Sequence, residues 1–293
     1  MSVDPEIEAK CREISTNYSA CDVSDALLKL KIPQAGFLPD ILPITSHSSQ
    51  PPTRTIVAPL STVLFVPKST SPPSGGGETP IPTQTSIPQE SNIPQDKHWT
   101  DLPSPGTIVL LQQPRGGQIC AVCGDILATR LKVRGVKGIV ADGRVRDLVA
   151  LAELCQSPSS TSSTTTAAGS SEGRRRGEEQ FTVWSRGTST VGTGLSAQAW
   201  CVDVPLSVPN NNNSPTTTST SPSSLSETTS PTLQINPGDI IICDEGERGS
   251  VVIPLSKLDE VLNLLPSLKE ADEKCIADVQ GGVDVREAFR RHR

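Results

Sequence analysis

Apolar and polar positions along this chain follow two periods, and three long stretches follow neither. Residues 5–17 (PEIEAKCREISTN) are charged with a helical apolar spacing, which predicts an amphipathic helix. Val23 to Leu28 opens a second helix, with Asp22 or Ser24 as its cap. TRTIVAPLSTVLFVP, residues 53–67, gives one or two strands. Pro105-Gly106 turns the chain into a strand that ends at Leu111, and Gln118 to Val122 is another. Asp125 to Arg134 reads as a helix stopped by Gly135, Gly138 to Ala141 as a strand, and Asp147 to Cys155 as a helix. Phe181 to Ser189 and Ala197 to Val208 are strands. Residues 237–244 and 249–254 form a hairpin, and helices follow at 255–265, 268–279 and 285–291. Strands alternate with helices in the middle and pair with one another later, the order of a layered mixed α/β domain.

The stretches outside both periods are 69–96, 157–179 and 207–232, rich in Ser, Thr, Pro, Asn and Gly. None can bury enough apolar surface to offset its ordering entropy. They are expected to be disordered insertions in surface loops of one domain spanning 1–293. Without them about 215 residues remain, a single-domain length. They also explain the totals: 34% hydrophobic and 3% aromatic, low for a globular chain of this size.

The net charge of −6 argues against a nucleic-acid partner, because phosphate binding needs a cationic footprint. The basic run Arg174-Arg175-Arg176 is followed by Glu178 and Glu179 and reads as solvated. No apolar stretch reaches membrane-spanning length and the first residues carry no signal pattern, so a cytoplasmic protein is expected. Of eight cysteines only Cys120 and Cys123 are spaced as a pair. The three histidines do not complete a zinc set, so these are expected to be buried structural thiols.

Two strand-to-loop transitions concentrate chemistry. In Gly124-Asp125-Ile126-Leu127 a glycine and a carboxylate stand at a helix start, where free N–H groups suit an anion. In GIVADGRVRD the apolar run 138–141 is followed within six residues by Asp142, Arg144, Arg146 and Asp147. Adjacent Arg146 and Asp147 make a poor private ion pair, since neighbouring side chains point apart. They can instead aim one cation and one anion at different parts of a ligand. Arginine clamps a carboxylate through two bonds, and aspartate can hold a hard divalent ion. A charged loop with capping carboxylates is the plainer reading of the same residues.

DVSDAL, PGTIVLL, GDIL, GIVADGRVRD, PGDIIICDEGERGSVVIP and EAFRRHR, in that order, resemble the ribonuclease E activity regulator A-like family. That family includes divalent-metal-dependent 4-hydroxy-4-methyl-2-oxoglutarate (HMG) aldolases and oxaloacetate decarboxylases. The resemblance implies a three-layer swivelling β/β/α domain, assembled as a homotrimer or hexamer with active sites between subunits. It implies Asp147 as direct ligand of Mg²⁺ or Mn²⁺ and Asp125 as holder of metal-bound water. Arg146 would bind the pyruvyl carboxylate of a small 2-oxo acid, with the amides of Ile126 and Leu127. A carboxylate from a neighbouring subunit's C-terminal helix, Glu273 or Glu270, would complete the water shell. Retro-aldol cleavage of HMG and decarboxylation of oxaloacetate both pass through the enolate of pyruvate, which a chelated cation stabilises as a Lewis acid. A lysine Schiff base is the alternative route, and Lys132 and Lys137 read as surface lysines.

One position departs from the family. Its aldolases usually carry an acid three residues after the aspartate of the Arg-Asp pair, and here that residue is Ala150. Glu153, one turn later, is the available substitute or else a solvated helix-face glutamate. The competing function is a non-enzymatic regulator that binds a ribonuclease-containing complex. Asp125, Arg146 and Asp147 favour the enzyme, because a pure binder does not need them.

Overall fold

The structure, a computed structural model, describes residues 3–44, 54–68, 87–114, 118–156, 180–208 and 232–293. In chain order it contains α1 (Pro5–Asn17), α2 (Ala20–Lys29), β1 (Leu42–Pro43), β2 (Thr55–Pro67), β3 (Ile108–Gln112), β4 (Cys120–Ala121), α3 (Asp125–Val133), β5 (Gly138–Val145), α4 (Leu148–Leu154), β6 (Thr182–Thr188), β7 (Val191–Gly192), β8 (Ala197–Val202), β9 (Leu206–Val208), β10 (Leu233–Ile235), β11 (Ile240–Asp244), β12 (Gly249–Ile253), α5 (Leu258–Gln280) and α6 (Val285–His292).

The main sheet runs β1-β6-β5-β3-β2-β11-β12, with β8 added beside β2. The central strands β2, β3, β5 and β6 are parallel, whereas β8, β11 and β12 join antiparallel. β2 joins the two halves: Thr55–Pro59 pairs with β11, and Leu60–Leu64 pairs with β3. Pro59, which has no N–H to donate, stands where the pairing passes from one neighbour to the other.

One face of the sheet is covered by helices. Val63, Val109, Leu111, Ile139 and Val183 pack with Ala128 and Leu131 of α3 and Leu151 of α4. At the β11–β12 end, Ile240, Ile242, Val251 and Ile253 pack with α1, α2 and α5. On the other face Leu60, Leu110, Val140, Trp184 and Ile241 meet Leu206, Val208, Leu233 and Ile235 of the β9–β10 hairpin. Helices, sheet and hairpin make three layers, the α/β architecture expected of a swivelling β/β/α domain.

Several boundaries moved, each for a local reason. α2 begins at Ala20, because Ser19 and Asp22 form a reciprocal capping box. β5 continues to Val145, so Asp142, Gly143 and Arg144 are strand residues rather than loop. The helices expected at 255–265 and 268–279 are one, Leu258–Gln280, with Pro266 inside. Val261, Leu265, Leu268 and Cys275 form one buried stripe across the proline, and this packing outweighs the lost backbone bond. The expected insertion at 69–96 ends earlier. Asn92 bonds both backbone groups of Val202, Ser91 donates to the Trp200 carbonyl, and Ile93 packs on the core. The rest of that tract, residues 157–179 and most of 207–232 lie outside the described residues; Ser207 and Val208 belong to β9.

Candidate active site

Three short segments meet at the C-terminal end of β5. Cys123 bridges Val145 in parallel, and the Arg146 amide donates to the Cys123 carbonyl at 3.0 Å. This sets the turn after β5 beside the start of α3. On the other side β7 pairs in parallel with β4. Gly124 is fixed by the crowding. A Cβ there would collide with Asp147 Oδ2 and lie 3.1 Å from Arg146 Cγ. A Cβ on Gly192 would lie 2.9 Å from Arg146 Nη1. Glycine at both positions leaves room for the Arg146 side chain to pass close to each backbone.

Asp147 is the N-cap residue of α4, yet its carboxylate caps nothing in that helix. Its backbone is left-handed, at φ 61°, a conformation that aspartate tolerates better than most residues. The side chain is thereby turned back across the gap. Oδ2 accepts from the Asp125 amide at 3.4 Å and lies 3.3 Å from Arg146 Nε. Adjacent Arg146 and Asp147 therefore do meet, contrary to the expectation that they diverge; the left-handed turn is the reason. Both remain open to solvent, with side chains 41% and 38% exposed.

Asp125 opens α3 and its Oδ1 accepts from the Ile126 amide at 2.7 Å. That amide, expected to face a substrate carboxylate, is thus held by its own neighbour. Leu127 follows in the same first turn. Ala150 and Glu153 lie on α4, Glu153 exposed. Glu273 and Glu270 lie on α5, which packs on α2 and α6. Glu273 is exposed, and Glu270 pairs with Lys274 at 2.6 Å. No hydrogen bond or ion pair joins either to Asp125, Arg146 or Asp147 within the chain. Among the described residues no group of three or more His, Cys, Asp or Glu side chains gathers as a metal site.

Cys120 and Cys123 are buried and free. Burial pushes the Cys123 thiol up to about 12, which suits a packing role directly beneath Gly124. Lys132 donates to the Leu154 carbonyl and lies over the Phe181 ring. Ser24 and Asp25 do not cap α2: Asp25 lies 3.6 Å from Arg293. Asp142 is buried and accepts from Arg186 Nε at 2.7 Å. Nothing in the local pattern marks Gly192 as a wall of the site. A Gly-Thr-Gly run at 192–194 was the only available signal, and a glycine-rich turn has many other uses.

The segments that build the centre also carry exposed apolar side chains, here called the apolar ring: Ile126 on α3 and Val149 on α4 are 75% and 76% exposed, and Ile119, Leu148 and Leu195 are exposed as well. Exposed apolar residues on the segments of a polar site suit an interaction surface.

A layered sheet with an Arg–Asp pair at the end of a parallel strand, facing a glycine-started helix, defines a swivelling β/β/α domain with a polar site at its strand ends. The chain belongs to the RraA-like family: the family model, described as Aldolase/RraA, matches residues 20–252. That family includes HMG aldolases, some of its members metal-dependent, and ribonuclease E regulators, and its members are oligomeric. No curated protein matches the chain. Among solved structures it resembles an uncharacterized protein from Pseudomonas syringae pv. tomato, at 19% identity and TM-score 0.58, covering 96% of each chain. It also resembles Streptomyces coelicolor RraAS2, described as an unusual member of the RNase ES inhibitor RraA family. There the identity is 19% and the TM-score 0.54, covering 93% of this chain and 96% of that one. A protein described as a novel cellulase from microbes of the gut ecosystem shares the fold at 12% identity and TM-score 0.57, covering 94% and 89%. Identities this low establish the fold alone, and function has to be argued from the site. No helix among the described residues is long and apolar enough to cross a membrane.

Proposed function

We propose that this protein is a divalent-metal-dependent lyase acting on small 2-oxo acids, cleaving HMG or decarboxylating oxaloacetate to release pyruvate. The observation that carries this reading is the Asp147 carboxylate. It stands at an N-cap position, leaves its helix uncapped and turns onto Gly124 and Asp125. A residue kept in a left-handed backbone to hold that orientation fits a functional demand better than a capping one.

The donor set suits Mg²⁺ or Mn²⁺. Two carboxylates, Asp147 directly and Asp125 through water, match an ion that keeps most of its own waters. Bound there, the cation would supply Lewis-acid polarisation of the 2-oxo group. Arg146 clamps the pyruvyl carboxylate against the glycine walls, and a water held by its guanidinium returns a proton to the carbon released by cleavage. The Ile126 and Leu127 amides join this contact once Asp125 turns from Ile126 toward the metal's water shell.

The apolar ring favours a partner subunit over the site. α5 and α6 carry their own exposed stripe, Ile276, Val279, Val285 and Phe289. Docking of that hairpin on a neighbour's ring, repeated around a threefold axis, would bring Glu273 to the centre of a homotrimer or hexamer. The same ring also suits a foreign protein surface, which is what keeps the regulator reading as the second choice.

The test is pyruvate release from HMG and from oxaloacetate, with Mg²⁺ or Mn²⁺ and with EDTA, after subtraction of the metal-only decay of oxaloacetate. Turnover should vanish with EDTA and fall by about two orders of magnitude or more in Asp147→Asn and Arg146→Ala. A folded wild type with no turnover above the metal blank would sink the lyase and leave the regulator.

A further inference from the structure

Arg146 and Asp147 account for only half of the charge that follows the apolar run of β5. Arg144, two residues earlier, has no part in the centre described above. It forms one wall of a cavity of about 200 Å³ at the C-terminal ends of β3, β5 and β6. Gln113, Gln118, Asp142 and Arg186 line the rest, with the backbone of Gly143 and Gly187. The ends of parallel strands are the usual place for a ligand in such sheets.

The hydrogen bonds of the lining decide what could enter. Asp142, the one acid among the lining residues, accepts from Arg186 Nε at 2.7 Å. Arg144 donates from Nε to the Gln118 carbonyl and from Nη1 to the Thr188 carbonyl, both at 3.0 Å. Both acceptors are neutral, so among the described residues Arg144 has no carboxylate partner. Gln118 accepts through Oε1 from Ser196 at 3.0 Å and from the Cys120 thiol, and among the described residues its amide NH₂ donates to no group. Gln113 is fully engaged, with the Cys120 carbonyl on one side and the Arg144 amide on the other. Arg186 is balanced by Asp142 and, at 3.5 Å, by Asp40, so the positive charge of the lining that has no carboxylate among the described residues is that of Arg144. Such a lining seeks a small anion, and a guanidinium beside an amide matches a planar carboxylate.

Position relates this cavity to the centre beside it. Arg144 and Arg146 lie on the same side of the chain, with buried Val145 between them on the other. Two residues of extended chain span roughly 6–7 Å, and the carboxyl carbons of an extended four- or five-carbon diacid stand about 4–5 Å apart, a gap that two long arginine side chains starting from neighbouring same-side positions can both reach. We propose that the cavity is a subsite for the second, distal carboxylate of a dicarboxylic 2-oxo acid, held by Arg144 and Gln118. This rests on Arg146 holding the pyruvyl carboxylate, as proposed above. Arg144 and Gln118 then set specificity for diacids over monoacids.

The test compares two unreactive ligands of equal length by calorimetry with Mg²⁺ present. 2-Oxoglutarate has the distal carboxylate, and 2-oxopentanoate has a methyl group in its place. The intact protein should bind 2-oxoglutarate at least about tenfold more tightly, the worth of one charge-assisted pair. Arg144→Met should remove that preference and leave 2-oxopentanoate affinity unchanged. Gln118→Glu keeps the acceptor for Ser196, places a negative charge in the cavity and should act in the same direction. Thermal melts confirm that both variants fold. Equal affinity for the two ligands in wild type, or equal loss of both in the two variants, overturns the subsite. A retained diacid preference with no pyruvate release sinks the lyase and leaves the subsite standing. Pyruvate release with no diacid preference does the reverse. Failure of 2-oxoglutarate to bind wild type overturns the subsite, and pyruvate release alone decides the lyase.

Discussion

Gly124 owes its identity to crowding, not to backbone conformation. Its φ is −138°, open to any residue, but a Cβ would displace the Asp147 carboxylate. Gly124→Ala should therefore fold with a stability loss of about 1–3 kcal/mol and lose most pyruvate release, checked by thermal melts beside the pyruvate assay. Intact turnover would show that Asp147 does not need its observed position. Cys123 makes a separate prediction. Its thiol is raised from 9.0 to about 12 by burial, so above pH 9 the unfolded chain releases a proton that the folded chain keeps. Its contribution to stability is then whole below pH 9 and is lost as pH rises toward 12. Melting temperature should drop between pH 9 and 11, and drop less in Cys123→Ala.

Helix ends and strand ends show where local pattern sufficed. α1 and α6 fall where the periodicity placed them, because each has a local cap, Asp4 and Asp284. α2 has its capping box one turn earlier than expected, and Ser19→Ala should cost about 1 kcal/mol in a denaturant titration. Where the sequence pattern predicts two helices, α5 is continuous through Pro266. Its continuity comes from a buried stripe that only the neighbouring α1, α2 and sheet can satisfy. Pro266→Ala should raise the melting temperature, because it restores a helix bond at an exposed position without touching the stripe. A lower melting temperature would mean that the proline shapes the packing. The expected end of β5 at Ala141 falls short of Val145 for a similar reason. Asp142 and Arg144 look like loop residues until Arg186 and two backbone carbonyls from other segments are in place.

The layers are tied together by one buried ionic network. Arg54 Nη2 pairs with Glu245 Oε1 at 2.9 Å, and Arg54 Nη1 donates to the Cys155 carbonyl after α4. Thr182 Oγ1 donates to Glu245 and accepts from Trp184 Nε1. Glu245, expected as part of a hairpin turn, thus joins β2, β6, β11 and the end of α4. Glu245→Ala should destabilise by about 3–5 kcal/mol, because it leaves a largely buried guanidinium without its partner. Denaturation at fixed pH measures this, and a loss under 1 kcal/mol would show that water replaces the glutamate. On the proposed subunit arrangement, Glu273→Gln should lower turnover about tenfold or more, with the light-scattering mass equal to that of wild type. Unchanged turnover would remove Glu273 from the site.

The layered α/β class, the run of elements and the two charged motifs were legible in the sequence, because periodicity, capping residues and charge clusters are local. Asp125, Arg146 and Asp147 could be named as candidates from residue type and order alone. Their arrangement could not. Gly192 reaches Arg146 only because β7 pairs with β4, and Asp142 finds Arg186 only because β5 and β6 are neighbours. Asp147 turns onto Gly124 through a left-handed backbone that no propensity predicts. Contacts between residues dozens of positions apart are fixed by strand order and register, and those follow from packing of the whole core rather than from any one segment.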